Sequence, residues 1–320
     1  MCVPKLPLLV ALKSLLSQEY RPDGYVFRYL NDDKNPVKQV FRSISNIAAC
    51  YLFKLIGVKV GWICHNVDKE TSVHWPFCSS LVRAVLARSA DRVYVTSSLL
   101  VEKIVEIYPQ VASKVDVVTF GIVPESNSAK DHYSASESRQ DINILKGRRI
   151  FLSLNSALSK KKVEEIIFSI KIAKTLIKND SDALVVLAGE MIFELKESYP
   201  TLWLEIERSK EICVIPGLLL LHELRLIAKS VCLIKCYSDY SIPLGIFQAA
   251  NYGIPVLSVD GTFIASVVRK YNIGQNVSDG DNLIDVLEAL IMSVNHYDFQ
   301  DFLAQHSWCR GSAALCRLVE

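Results

Sequence analysis

Apolar residues in this chain fall into short unbroken runs and longer segments spaced three and four residues apart, and the two kinds alternate from end to end. Leu8 to Gln18 has helical spacing, and Gly24 to Leu30 reads Gly-Tyr-Val-Phe-Arg-Tyr-Leu, a β-rich run. Val37 to Ile56 predicts a long helix stopped by Gly57, and Val58 to Cys64 a short buried strand. Helix Ser79–Ser89, strand Arg92–Thr96, helix Leu99–Tyr108 and strand Val115–Phe120 follow. A second series opens with strand Arg149–Leu154 and helix Val163–Lys178. It continues through strand Ala183–Ala188, helix Leu202–Ser209, strand Ile212–Ile215, helix Leu221–Ala228 and strand Val231–Cys236. Helix Leu244–Asn251, strand Pro255–Ser258 and helices Thr262–Tyr271 and Asn282–Val294 complete it. Strands alternating with helices at these lengths predict parallel βαβ units with right-handed crossovers.

Between the series, Pro124 to Asp141 turns to Ser, Asp, Glu, Asn and Lys without apolar periodicity. The chain therefore divides into a Rossmann-like domain over 1–124, a linker over 125–147, a second Rossmann-like domain over 148–296, and a helical tail over 297–320 that can cross back to the first domain. A Rossmann half usually opens on a strand and a glycine-rich turn. This sequence opens on a helix, so the first strand is expected to be missing.

With 320 residues, half hydrophobic and 22% charged, the chain has the material for two large cores. Lys and Arg number 36 against 34 Asp and Glu. That balance excludes the strongly basic footprint of a nucleic-acid binder. Nine cysteines, an odd number without a Cys-x-x-Cys, indicate neither a disulfide framework nor a zinc ribbon. Free thiols and a cytoplasmic setting are expected. No apolar run reaches the roughly 18–20 residues that cross a bilayer. In the first 42 residues Lys5, Lys13, Arg21, Lys34, Lys38 and Arg42 exceed Glu19, Asp23, Asp32 and Asp33. That small excess predicts weak, salt-sensitive contact with an anionic inner leaflet.

Several residues suit the handling of an anion or a sugar. Lys161 stands before a predicted helix start, where an ammonium reaches a phosphate, although Lys160 to Lys162 also read as a solvated turn. The helix opening at Leu244-Gly245 offers free N–H groups. His65 ends a buried strand at its carboxyl edge, the place where open α/β sheets hold ligands, with Asn66 placed to orient its ring. Glu70, His74 and Trp75 follow on the same loop and are candidates for acceptor contacts, with exposed-loop and hinge roles as the alternatives. Asp239 and Asp260 flank the Leu244 helix with no Asp-x-Asp pair between them, and no metal is expected.

The stretch from Tyr240 to Leu257, ending in Gly253-Ile254-Pro255-Val256, resembles the donor-site signature of the family 4 glycosyltransferases, which have the GT-B fold. Lys160-Lys161-Lys162-Val163 after a strand, Ala188-Gly189-Glu190, Pro216-Gly217, Gly61 to Asn66 and Arg92 to Ser98 resemble further family segments in the same order. The resemblance runs from about Gly24 to Leu290. It implies two Rossmann-like domains facing across a cleft and a donor site formed by Ser156, Lys161, Gly189, Glu190, Gly217, Tyr240, Ser241, Pro243, Leu244, Gly245 and Gln248. It makes His65 the catalytic candidate and places Asn66, Glu70, His74 and Trp75 on the acceptor side. It implies a hexosyltransferase with a nucleotide-sugar donor, a saccharide or lipid-linked acceptor and no cofactor. The family's acidic pair falls here on Tyr240 and Gln248, and its usual Arg on Ser156. These replacements keep open a non-catalytic, nucleotide-sugar-binding subunit. A nucleotide-sugar epimerase on the same plan is disfavoured, because no extra acidic or His cluster accompanies the motifs.

Overall fold

The computed structural model describes residues 6–28, 30, 33–67, 75–122, 143–155, 158, 160–176, 182–217, 219–236, 238, 240–293 and 296–320. The first half contains α1 (Pro7–Leu16), β1 (Gly24–Phe27), α2 (Pro36–Leu55), β2 (Lys59–Cys64), α3 (Pro76–Ser89), β3 (Arg92–Val95), α4 (Val101–Ile107) and β4 (Val115–Val117). The second half opens with β5 (Arg149–Leu154), α5 (Lys160–Leu176), β6 (Ala183–Gly189), α6 (Met191–Ser198), α7 (Pro200–Arg208), β7 (Ile212–Pro216), α8 (Leu221–Ile227) and β8 (Ser230–Ile234). It closes with α9 (Leu244–Asn251), β9 (Val256–Val259), α10 (Phe263–Tyr271), β10 (Gly274–Val277), α11 (Leu283–Met292), α12 (Phe299–Gln305) and α13 (Trp308–Cys316). Two compact units result. Unit 1 is Met1–Phe120 with His306–Glu320, and unit 2 is Gly121–Gln305.

Unit 1 holds a four-stranded parallel sheet in the order β1-β2-β3-β4. The order never reverses, so right-handed crossovers put α2, α3 and α4 on one face. Tyr25 stacks on Phe53 of α2 at 4.5 Å, and Trp62 meets Tyr108 edge-on at 5.8 Å. The opposite face is covered by the carboxyl-terminal segment. A Cβ on Gly24 would lie 2.9 Å from Val319, and one on Gly61 3.1 Å from Leu318. Gly311 of α13 lies close against the Thr119 carbonyl, where a Cβ would stand 2.1 Å away. Arg317 closes the seam with an ion pair to Asp116 at 2.8 Å. Among the described residues no strand precedes β1.

Unit 2 holds a six-stranded parallel sheet in the order β10-β9-β8-β5-β6-β7. Its central strands are buried over nearly their whole length, and β6 is buried at every position. Phe151, Ile166, Ile170, Val185 and Leu187 lie in the main core.

Four features differ from the sequence reading. β10 is absent from that reading, because Gly-Gln-Asn-Val carries no alternation. It forms by pairing with β9, where Gly274 lets the backbones approach; a Cβ there would lie 1.9 Å from the Val256 carbonyl oxygen. Helix α6 is likewise an addition. The strand expected over Val115–Phe120 ends at Val117, and the helix from Leu99 begins as a turn of 3-10 helix, Ser98–Leu100. The tail over 297–320 has α12 in unit 2 and α13 in unit 1. Phe302 of α12 packs on Phe247 at 5.4 Å and on Tyr271 at 5.3 Å in unit 2, whereas α13 covers the sheet of unit 1.

Candidate functional site

The sheet of unit 2 reverses its winding between β5 and β8, which lie side by side although β6, β7 and their helices intervene in sequence. Crossovers leave in opposite directions from such a pair, so a crevice opens at its carboxyl edge. Two helices start there. α5 follows β5, and α9 follows β8 and the loop ending at Pro243. Pro243 occupies the cap of α9 and supplies no side-chain hydrogen bond to its first turn. The uncapped N–H groups and the helix dipole make this edge electropositive.

Beneath it lies a polar cluster that the sequence motifs do not include. Lys235, one residue past β8, is 2% exposed, and Glu165 on α5 is fully buried. The Lys235 ammonium donates to Glu165 Oε1 at 3.1 Å, to the Leu154 carbonyl at 2.8 Å and to Asn155 Oδ1 at 3.2 Å. Ser153 and Asn155 donate to the same Glu165 oxygen at 2.6 and 2.7 Å. A buried charge is tolerable only when paired and hydrogen-bonded in this way. The network ties the end of β5, the start of α5 and the end of β8 into one rigid floor. A Lys in a Cys-Leu-Ile-Lys-Cys run, with a Glu one turn inside a facing helix, was the available signal.

The expected donor residues distribute unevenly around this floor. Gly189 ends β6 at φ +120°, and a Cβ there would lie 1.9 Å from the Asn155 carbonyl oxygen, so only glycine fits against the β5 turn. Glu190 is exposed at the start of α6. Gly217, buried at φ +93°, follows β7, two strands away from β5, and is not brought to the crevice. Tyr240, Ser241 and Pro243 are partly buried in the loop before α9, and the Tyr240 ring leans on Phe263 at 6.0 Å. Leu244 is exposed. Gly245 sits over the Lys235 stem, where a Cβ would be 3.9 Å from Lys235 Cε. Gln248 lies one turn further, partly buried. Lys161 is the second residue of α5 rather than the residue before it, since the helix begins at Lys160. Ser156 and Asp239 lie outside the described residues.

Asp260 pairs with Arg269 and accepts from Ser278. Asp-x-Asp triplets do occur away from the α9 loop, at Asp180-Ser181-Asp182 and Asp279-Gly280-Asp281. The second serves as a turn after β10, with Asp281 accepting from the Ser278 N–H at 2.7 Å.

In unit 1, His65 follows β2 directly and stacks on Phe120 at 5.3 Å with planes 11° apart. Phe120 in turn meets Trp308 of α13 at 5.6 Å. Burial, with the nearby Arg28 charge, pulls the His65 pKa from 6.5 to about 4, so the ring is neutral at physiological pH. Asn66, expected to orient the ring, follows His65 directly, and its main-chain carbonyl accepts from buried Arg83 at 2.7 Å and from Cys64 Sγ at 3.3 Å. Trp75 is partly buried at the start of α3. Glu70 and His74 lie outside the described residues.

No protein-family model matches the sequence, and no curated protein matches it. Solved structures do. The Anabaena protein HepE in complex with UDP superposes with a TM-score of 0.62 at 15% identity, covering 96% of this chain and 89% of HepE. An α,α-trehalose-phosphate synthase (UDP-forming) from Burkholderia vietnamiensis gives 0.61 at 10% identity, over 88% of this chain and 74% of that one. The lipopolysaccharide outer core galactosyltransferase WaaB gives 0.58 at 14% identity, over 97% and 78%. These neighbours are GT-B glycosyltransferases, and the chain has the GT-B fold.

Proposed function

We propose that this protein is a glycosyltransferase. Unit 2 takes a nucleotide-sugar donor at the β5/β8 crevice, and a hexose passes to a saccharide or lipid-linked acceptor in surface-glycan assembly. The observation that carries this reading is the switch-point crevice, where α5 and α9 open over the rigid Lys235–Glu165 floor. Cleavage of a sugar–diphosphate bond leaves negative charge on the departing phosphates, and the first-turn N–H groups of α9 together with Lys161 are suited to hold it. HepE was crystallised with UDP and with UDP-glucose, which supports a uridine nucleotide as the first ligand to test. Titration calorimetry of the full chain with UDP, GDP and ADP should show binding of one diphosphate, and transfer from its sugar derivatives should follow. If none binds, the donor site is wrong. Because no Asp-x-Asp pair lies along the α9 loop, transfer is expected to persist in a chelator.

One feature favours a second reading, a subunit that binds nucleotide sugar without transferring it. The loop and first turn from Tyr240 to Gln248 hold no carboxylate, and the Tyr240 ring lies against Phe263 where the family resemblance has an acid. Diphosphate binding without transfer or slow hydrolysis of any sugar donor would establish that reading.

A further inference from the structure

The helical face of unit 1 is unlike the rest of the surface. α2 exposes Val37, Phe41, Ile44, Tyr51 and Leu55, alternating steps of four and three with Ala48 completing the stripe. Val37 is 77% exposed and Leu55 78%. Its opposite side, with Gln39, Ser43, Asn46, Ala49, Cys50 and Phe53, is buried. α2 packs between α1 and α3. α1 adds exposed Leu12 and Leu16, and α3 adds Phe77, 79% exposed, and Leu81. A soluble monomer seldom leaves contiguous apolar surface of this kind uncovered.

The charges on the same helices choose among occupants. Lys13, Lys38, Arg42, Lys54 and Arg88 lie on α1, α2 and α3, and none of the three helices contains an Asp or a Glu. At the margin Lys38 pairs with Asp33 and Lys54 with Asp91, both at 2.7 Å. Pairing with a second copy about a twofold axis would set this basic face against itself. A surface that is apolar and anionic suits it, and a lipid bilayer bearing acidic headgroups is both.

We infer that α1, α2 and α3 form a face that inserts into an anionic lipid surface, with Phe41, Ile44 and Phe77 entering the acyl boundary and the basic residues meeting headgroups. This goes beyond the salt-sensitive contact that charge alone predicts, because the apolar part does not depend on ionic strength. It holds whether or not the donor-site reading does.

The test is flotation of the full chain with phosphatidylcholine vesicles, with and without about one-third phosphatidylglycerol. Binding should be stronger with the anionic lipid at low salt, weaken as salt rises, and persist in part at about 1 M salt. Phe41→Asp and Phe77→Asp should each cut partition about tenfold or more, the effect of losing an inserted ring and adding a charge. Leu226→Asp, at a position 83% exposed on α8 of unit 2, should leave it unchanged. As a second readout, Phe41→Trp fluorescence should be quenched by lipids brominated on their acyl chains. No flotation, full loss at high salt, indifference to both Asp variants, or an unquenched Trp would each overturn the inference. A lipid-independent dimer that Phe41→Asp dissociates would overturn it in favour of a second copy.

Discussion

Lys235 and Glu165, 70 positions apart in sequence, form an ion pair at 3.1 Å in which neither side chain is more than 2% exposed. Charges removed from water this completely cost several kcal/mol each, and only mutual pairing plus added hydrogen bonds offsets that cost. Lys235→Met and Glu165→Gln should each destabilise the protein by about 3–5 kcal/mol, read as a fall in the denaturant midpoint. Combining Lys235→Met with Glu165→Gln should cost less than the sum, since no unpaired charge remains. Additive losses would mean the pair is not coupled.

The contact between Gly189 and the Asn155 carbonyl leaves no room for a methyl group. Gly189→Ala combines a steric overlap with a left-handed backbone, and a loss of about 3 kcal/mol or more is expected. Thermal unfolding checks it. A stable Gly189→Ala protein would show that the β5 and β6 turns can separate without cost.

Lys161, the second residue of α5, is the cation proposed to hold the donor diphosphate. Lys161→Ala should weaken nucleoside-diphosphate binding by about 1.5–3 kcal/mol, the value of one charge-assisted contact, with little change in melting temperature. Calorimetry showing an unchanged affinity removes Lys161 from the site.

His65 separates chemistry from stability. Its removal should lower transfer by about 10²–10³ if it contacts the reacting sugar, with diphosphate affinity unchanged because the proposed nucleotide elements all belong to unit 2. Full activity of His65→Ala would reassign the ring to the Phe120–Trp308 stack.

The same residue sets a pH dependence. Its pKa of about 4 in the fold lies below 6.5, so between these values the unfolded chain binds the extra proton. The neutral ring's contribution is therefore complete above pH 6.5 and is lost as pH falls toward 4. Its ceiling is about 3 kcal/mol. Wild type should lose more stability than His65→Gln across that window, and parallel curves would show that the ring titrates normally in the fold.

The alternation of apolar runs and helical spacing determined most elements, the α/β class and the division into two parts. These are local properties, set by which side of a strand or helix must leave water. The unbroken run Leu184, Val185, Val186 and Leu187 declares a buried strand without reference to any partner. Gly253 to Val256 was legible for the same reason, being a short motif beside an element start. The tertiary structure decided what depends on distant partners. It paired Gly-Gln-Asn-Val as an edge strand, placed β8 beside β5, and split the tail between two cores. It also gathered Lys235, Glu165, Ser153 and Asn155 beneath the crevice, where burial makes each charge need the others. The apolar stripe on α2 was visible as periodicity, but which side faces the sheet and which faces outward depends on the packing of Cys50 and Phe53 against unit 1.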